Sequence, residues 1–124
     1  MFFFRPKRIT DNSWKIYKTK AHARVQEIIH NLSNKHTFEY NRITIRNQKT
    51  RWGSCSSKKN LNFNYKILFL PHELAEYLVV HELCHLKELN HSRKYWQLVE
   101  EILPKHKLLR KRLKNIDLKK FGKL

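Results

Sequence analysis

The sequence predicts a small α+β domain, and three observations carry that prediction. Apolar residues recur at three- and four-residue intervals over an early stretch, two later segments alternate polar and apolar residues, and beyond Pro71 the apolar residues surround a helical stretch on every side. A chain of 124 residues has room for one modest core, so 1–124 reads as a single domain with flexible ends at 1–10 and 119–124.

The elements follow in order. Asp11, Asn12 and Ser13 offer cap oxygens before a helix to about Leu32, whose buried stripe comprises Trp14, Tyr17, Ala21, Val25, Ile28, Ile29 and Leu32. Asn31, Ser33 and Asn34 end it. Ile43 and Ile45 alternate with polar neighbours over 42–46, and Leu61, Phe63 and Tyr65 alternate with asparagines, so both segments read as half-buried strands. With the stretch 49–54 between them and a turn at 56–59, they predict a small antiparallel sheet. Pro71 marks a helix start, and Glu73 and Glu76 suit the positive end of its dipole. From Leu74 to Leu89 no polar face survives, which predicts a helix buried inside the domain. Ser92 caps a further helix to Leu103, Pro104 interrupts, and a basic helix follows to about Leu118.

Charge divides the chain. Lys and Arg number 27 against 10 Asp and Glu, a formal +17. The stretches 1–34, 35–70 and 104–124 carry +5, +7 and +8, whereas 71–103 carries −3 and holds six of the ten acids. Such a surface attracts polyanions, nucleic acid among them; the bland reading is a Lys-rich composition of AT-rich codons. Two cysteines, Cys55 and Cys84, make no disulfide framework and suit a reducing cytoplasm. The three phenylalanines before Arg5 are too few for a signal peptide, and no stretch approaches the ~20 apolar residues of a membrane span. A soluble cytoplasmic protein without membrane association is expected.

The chemistry lies in the buried helix, at His81-Glu82-Leu83-Cys84-His85. Histidines four residues apart share one helix face, so both rings reach one ion, and a glutamate beside them can touch a water on that ion without ligating it. This HExxH pattern arises by accident about 0.03 times in such a composition. Two imidazoles and a carboxylate on a helix buried all round are also costly unless something pairs with them. A catalytic zinc takes three protein ligands, and His91 is the first candidate for the third. A straight helix would carry His91 out of reach, so a break is needed, and Asn90 tolerates the left-handed conformation of a helix cap. Glu100 and Glu101, brought over by the next helix, are the alternatives. The interval from His81 to His91 equals that of HExxHxxGxxH, with Glu88 in place of the glycine. The remaining histidines, 22, 30, 36, 72 and 106, read as surface residues.

Further motifs surround this one: Lys49-Thr50-Arg51-Trp52-Gly53-Ser54-Cys55-Ser56-Ser57, Leu70-Pro71, Val79 to Leu86, Asn90-His91-Ser92 and Tyr95-Trp96. Through them the sequence resembles the YgjP-like metallopeptidases, relatives of the SprT-like and WLM proteases, over about residues 14–112. Cys84 stands where that family usually has a small residue such as Ala, and Tyr95 where Phe is common. The resemblance implies a zincin-like minimal metallopeptidase core with one zinc ion per chain held by His81, His85 and His91, and Glu82 as the catalytic residue. Family members often extend further at the amino end with a β-rich portion, so a minimal or truncated member is expected.

The expected reaction is hydrolysis of a peptide bond in a protein or peptide substrate, with Glu82 as general base. The segment 50–57 can bind extended peptide through its main chain, and Gly53 permits close approach. Trp52, Cys55 and Cys84 read as packing residues, while Arg51 and Tyr95 are candidates for contacting substrate. The rival from another class is a nucleic-acid-binding protein with a structural zinc, supported by the basic carboxyl-terminal stretch. SprT-like relatives act on proteins attached to DNA, which would join the two readings.

Overall fold

The structure, a computed structural model, describes residues 11–33 and 35–121. Most of the ends expected to be flexible therefore lie outside the described residues. Helix α1 spans Asp11–Leu32, so Asp11, Asn12 and Ser13 fall within its first turn. Ala21, Val25, Ile28 and Ile29 are buried, with Trp14, Tyr17 and Leu32 packed beside them, as the periodicity requires. Ser33 closes the helix by donating its N–H to the Ile29 carbonyl and its hydroxyl to that of His30.

Three strands follow: β1 at Arg42–Arg46, β2 at Gly53–Cys55 and β3 at Asn60–Asn64. They lie in the order β1-β3-β2. The expected all-antiparallel pairing holds only for β2 and β3; β1 and β3 are parallel, with Ile43 opposite Leu61 and Ile45 opposite Phe63. Residues 47–52 carry the chain across β3 to its far edge, and 47–59, with β2 in their course, make the long crossover that the parallel pairing of β1 with β3 demands. Asn64 anchors that crossing. Fully buried, it donates Nδ2–H to the carbonyls of Gln48 and Arg51, and its backbone N–H bonds the Trp52 carbonyl.

Tyr65, expected as the end of a strand, instead begins a 3-10 helix over Tyr65–Phe69, capped by the Asn64 side chain accepting the Lys66 N–H. Arg24 of α1 reaches across to this segment. Its Nη1 donates to the carbonyls of Ile67, Leu68 and Leu70 at 2.6, 3.0 and 2.8 Å.

Helix α2, His72–Cys84, runs through the middle and touches α1, β2 and the two later helices. Val79, Val80, Leu83 and Cys84 are fully buried, each aliphatic side chain contributing roughly 1.5–3 kcal/mol of hydrophobic stabilisation. The helix does not run to Leu89, which is exposed. Its last bonds shorten to three-residue spacing, from His85 N–H to the Glu82 carbonyl and Leu86 N–H to that of Leu83, and this tightening ends it.

Ser92 then caps α3, Arg93–Ile102, by accepting the Tyr95 N–H. Tyr95 and Val99 of α3 pack on Val80 and Cys84 in a second core, so Cys84 is a packing residue. Helix α4, His106–Lys114, is shorter than expected and buries Leu109 and Leu113 against α2. The chain after it turns back: Lys66 donates to the Leu118 carbonyl, and the Phe121 ring meets that of Trp52 at 5.6 Å. No described helix is long and apolar enough to cross a membrane.

Candidate metal centre

Helical spacing puts His81 and His85 one turn apart, with ring centroids 5.1 Å from each other. His91 returns to them after the turn, its centroid 4.6 Å from that of His85 and 5.3 Å from that of His81. One ligand atom from each ring lies within 4.8 Å of the other two, and the Nε2 atoms of His85 and His91 are 3.0 Å apart. The turn that achieves this is not the expected left-handed cap at Asn90. Among described non-glycine residues only Lys59 has a positive φ, and the chain reverses instead in the tightened turn at 85–88.

That turn also sets a tautomer. The Glu88 carbonyl, at the position a glycine holds in HExxHxxGxxH, lies 3.0 Å from His85 Nδ1. Donation by Nδ1–H leaves Nε2 as a lone pair facing the cluster, the usual orientation of a ligating histidine. His81 has its Nδ1 3.5 Å from the Tyr77 hydroxyl, a residue four positions earlier on the same helix face. Burial, then the neighbouring His85, His91 and Arg110, hold His81 down to about 4, so it is neutral at pH 7. Burial followed by His85 and Arg110 lowers His91 too.

Aromatic rings brace the cluster. Tyr95 stacks on His85 with centroids 4.4 Å apart and planes at 20°, and its hydroxyl donates to the His81 carbonyl at 2.8 Å. Tyr95, expected as a candidate for substrate contact, is fully buried with its hydroxyl engaged by the backbone, a position that braces the histidine cluster. Trp96 stacks on His91 at 5.8 Å and on His106 at 5.7 Å. His106, expected at the surface, is buried and bonds Glu100 through Nε2. Glu100 is thereby engaged away from the cluster, and neither it nor the exposed Glu101 joins the group of candidate ligands.

Glu82 lies beneath β2, its side chain close under Gly53, and lines one cleft with His81. It is 4% exposed, and burial pushes its carboxyl up to about 8, with Arg51 pulling the opposite way. A cleft of 580 Å³ opens over it, lined by 49–53 on one wall, His81 and Tyr77 on the floor, and Arg110 and Lys114 of α4 on the other wall. Arg51 lines this cleft with its side chain exposed and its carbonyl held by Asn64. Arg110, absent from the sequence-based candidates, is placed there by the packing of Leu109 and Leu113; its guanidinium lies 5.0 Å over the Trp96 ring.

The donor set fits a divalent metal. Three imidazoles, at least one with its lone pair fixed inward, have ligand nitrogens all within 4.8 Å of one another, and the His85–His91 pair at 3.0 Å is close to the ~3.3 Å expected between neighbours in tetrahedral zinc coordination. A family model described as the YgjP-like metallopeptidase domain matches residues 4–116. The chain belongs to the YgjP-like metallopeptidase family. Like other members of that family, it is a metallopeptidase, acting on protein or peptide. Its fold is similar to the metallopeptidase zymogen abylysin of Pyrococcus abyssi, with TM-score 0.64, 24% identity, and coverage of 72% of this chain and 90% of that one. The metallopeptidase zymogen jannalysin of Methanocaldococcus jannaschii aligns with TM-score 0.53, 26% identity, and coverage of 77% and 97%. A search of curated proteins found no match.

Proposed function

We propose that this YgjP-like chain is a zinc-dependent peptidase in which His81, His85 and His91 hold one zinc ion and Glu82 moves the proton. The observation that carries the proposal is the convergence of three imidazole nitrogens within 4.8 Å, one of them on His81, which shares a cleft with the buried Glu82. When bound, zinc supplies Lewis acidity that polarises the scissile carbonyl and makes water a stronger acid.

The chain's own residues do the rest. Glu82 accepts a proton from the attacking water at its carboxylate and returns it to the nitrogen of the leaving amine. Its high proton affinity follows from burial and favours the first of these transfers. Arg51, exposed at the cleft and electrostatically coupled to Glu82, keeps part of the carboxyl population ionised. The Glu88 carbonyl and the Tyr95 ring orient His85. A purely structural metal would call for a fourth protein ligand, and the group of described candidate ligands has three members. Cys55 and Cys84, both free, suit a reducing cytoplasm.

Glu82→Gln tests the reading. The variant is expected to retain stoichiometric zinc by elemental analysis while losing at least about 100-fold in peptide hydrolysis. Undiminished turnover would refute the role of Glu82, and a zinc-free wild type would refute the metal assignment.

A further inference from the structure

The proposed peptidase has a cleft of one dominant charge. Lys49 and Arg51 stand on the wall that leads into β2, Arg110 and Lys114 are one turn apart on α4, and Lys119 follows from the turn beyond. Against these five cations the lining contains two acids, the catalytic-site Glu82 at the floor and Asp117. Asp117 is partly engaged by its own loop, its Oδ1 accepting the Lys119 N–H at 3.0 Å. Among the described residues, the ion pairs join His72 to Glu76, His106 to Glu100 and Arg112 to Glu73, so none uses a cleft cation. Arg110 lies over the face of Trp96, and Arg51 acts on Glu82 through space without forming an ion pair.

We infer that the cleft selects peptides carrying acidic side chains beside the scissile bond, and this rests on the peptidase reading above. Unpaired like charges around a concave site focus the field into it and raise the local concentration of an oppositely charged ligand. The surroundings favour a peptide over nucleic acid as that ligand. The cations ring a cleft of 580 Å³, a volume suited to a few side chains, and between them lie apolar residues including Trp52, Leu113 and Leu118. A phosphate-tracking surface would instead set its cations along an extended groove. Charge also separates along the chain: the stretch 71–103 that supplies the metal ligands is net −3, while the walls come from the strongly basic segments on either side.

The test uses three fluorescent peptides identical except for Glu, Gln or Lys on both sides of a central apolar residue. Their affinities are read by anisotropy on the zinc-loaded Glu82→Gln full chain, so that binding is measured without cleavage. The Glu peptide is expected to bind about tenfold more tightly than the Gln peptide at about 0.05 M salt, with the ratio shrinking at about 0.5 M. Adding Lys114→Glu and Lys119→Glu inverts the order in favour of the Lys peptide; Lys114→Gln with Lys119→Gln removes the preference without inverting it, which separates charge from misfolding. Equal affinity for the Glu and Gln peptides overturns the inference. So does a DNA oligonucleotide that binds more tightly than the Glu peptide and is lost with the same substitutions. Failure of the wild type to hydrolyse any peptide would instead sink the peptidase reading, since the binding order does not depend on turnover.

Discussion

A methyl group placed on Gly53 would stand 3.0 Å from Oε2 of Glu82 and 2.9 Å from the Asn62 carbonyl oxygen. Glycine is required here by contact, because the strand backbone would fit the carboxylate beneath it with no other residue. Gly53→Ala is therefore expected to push Glu82 out of position, costing about 1–3 kcal/mol of stability and at least about tenfold in hydrolysis. Thermal unfolding and turnover of the zinc-loaded variant check this; wild-type turnover would show that the close approach has no bearing on Glu82.

Tyr95 serves the site through its hydroxyl, which bonds the carbonyl of His81. Tyr95→Phe keeps the ring stacked on His85 and deletes that bond alone. The expected cost is about 1 kcal/mol of stability, with zinc affinity falling by up to about tenfold as the ligand-bearing turn loosens. Competition with a chromogenic chelator measures the affinity, and an unaltered value would confine Tyr95 to packing.

His91 is the one candidate ligand outside a helix or its cap, and Trp96 holds its ring from one side. Trp96→Leu removes this stacked face and the one on His106. Zinc affinity should fall by at least about tenfold with helix content preserved. Circular dichroism and zinc titration together check the claim, which fails if affinity stays at the wild-type level.

Protonation gives the metal-free protein a pH signature. Burial raises Glu82 from 4.5 to about 8 and lowers His81 from 6.5 to about 4. Between pH 4.5 and 6.5 the two oppose each other: the folded state retains the Glu82 proton, so its stability falls with rising pH, and lacks the His81 proton, so its stability rises. Above 6.5 Glu82 is the one of the two that still contributes. Chelator-treated wild type should then lose about 2 kcal/mol between pH 6.5 and 8, a loss absent from Glu82→Gln. Parallel urea curves for the two proteins across that interval would dismiss the effect.

What could be read in advance was whatever depends on local periodicity. His81, Glu82 and His85 lie within one helical turn, so their relation to one another is fixed by the helix itself. His91 is legible as a candidate ligand, but its route to the other two histidines is not: a helix tightening at 85–88 leaves no residue signature, whereas Asn90 offers a conspicuous and unused one. Alternation marks 42–46 and 60–64 as strands and says nothing of direction, so the parallel pairing of β1 with β3 is not legible in the sequence. His106 and Arg110 carry no motif either. Their places beside Trp96 come from how Leu109 and Leu113 dock α4, a tertiary fact.

Arg24 binds three carbonyl groups at 67, 68 and 70, just before the helix that presents the histidines. Cutting the protein down to its motif-bearing half would leave those oxygens bereft and the first turn of that helix without a fixed footing. Anyone transplanting this site into another scaffold must therefore bring the amino-terminal helix along, although it donates nothing to the metal.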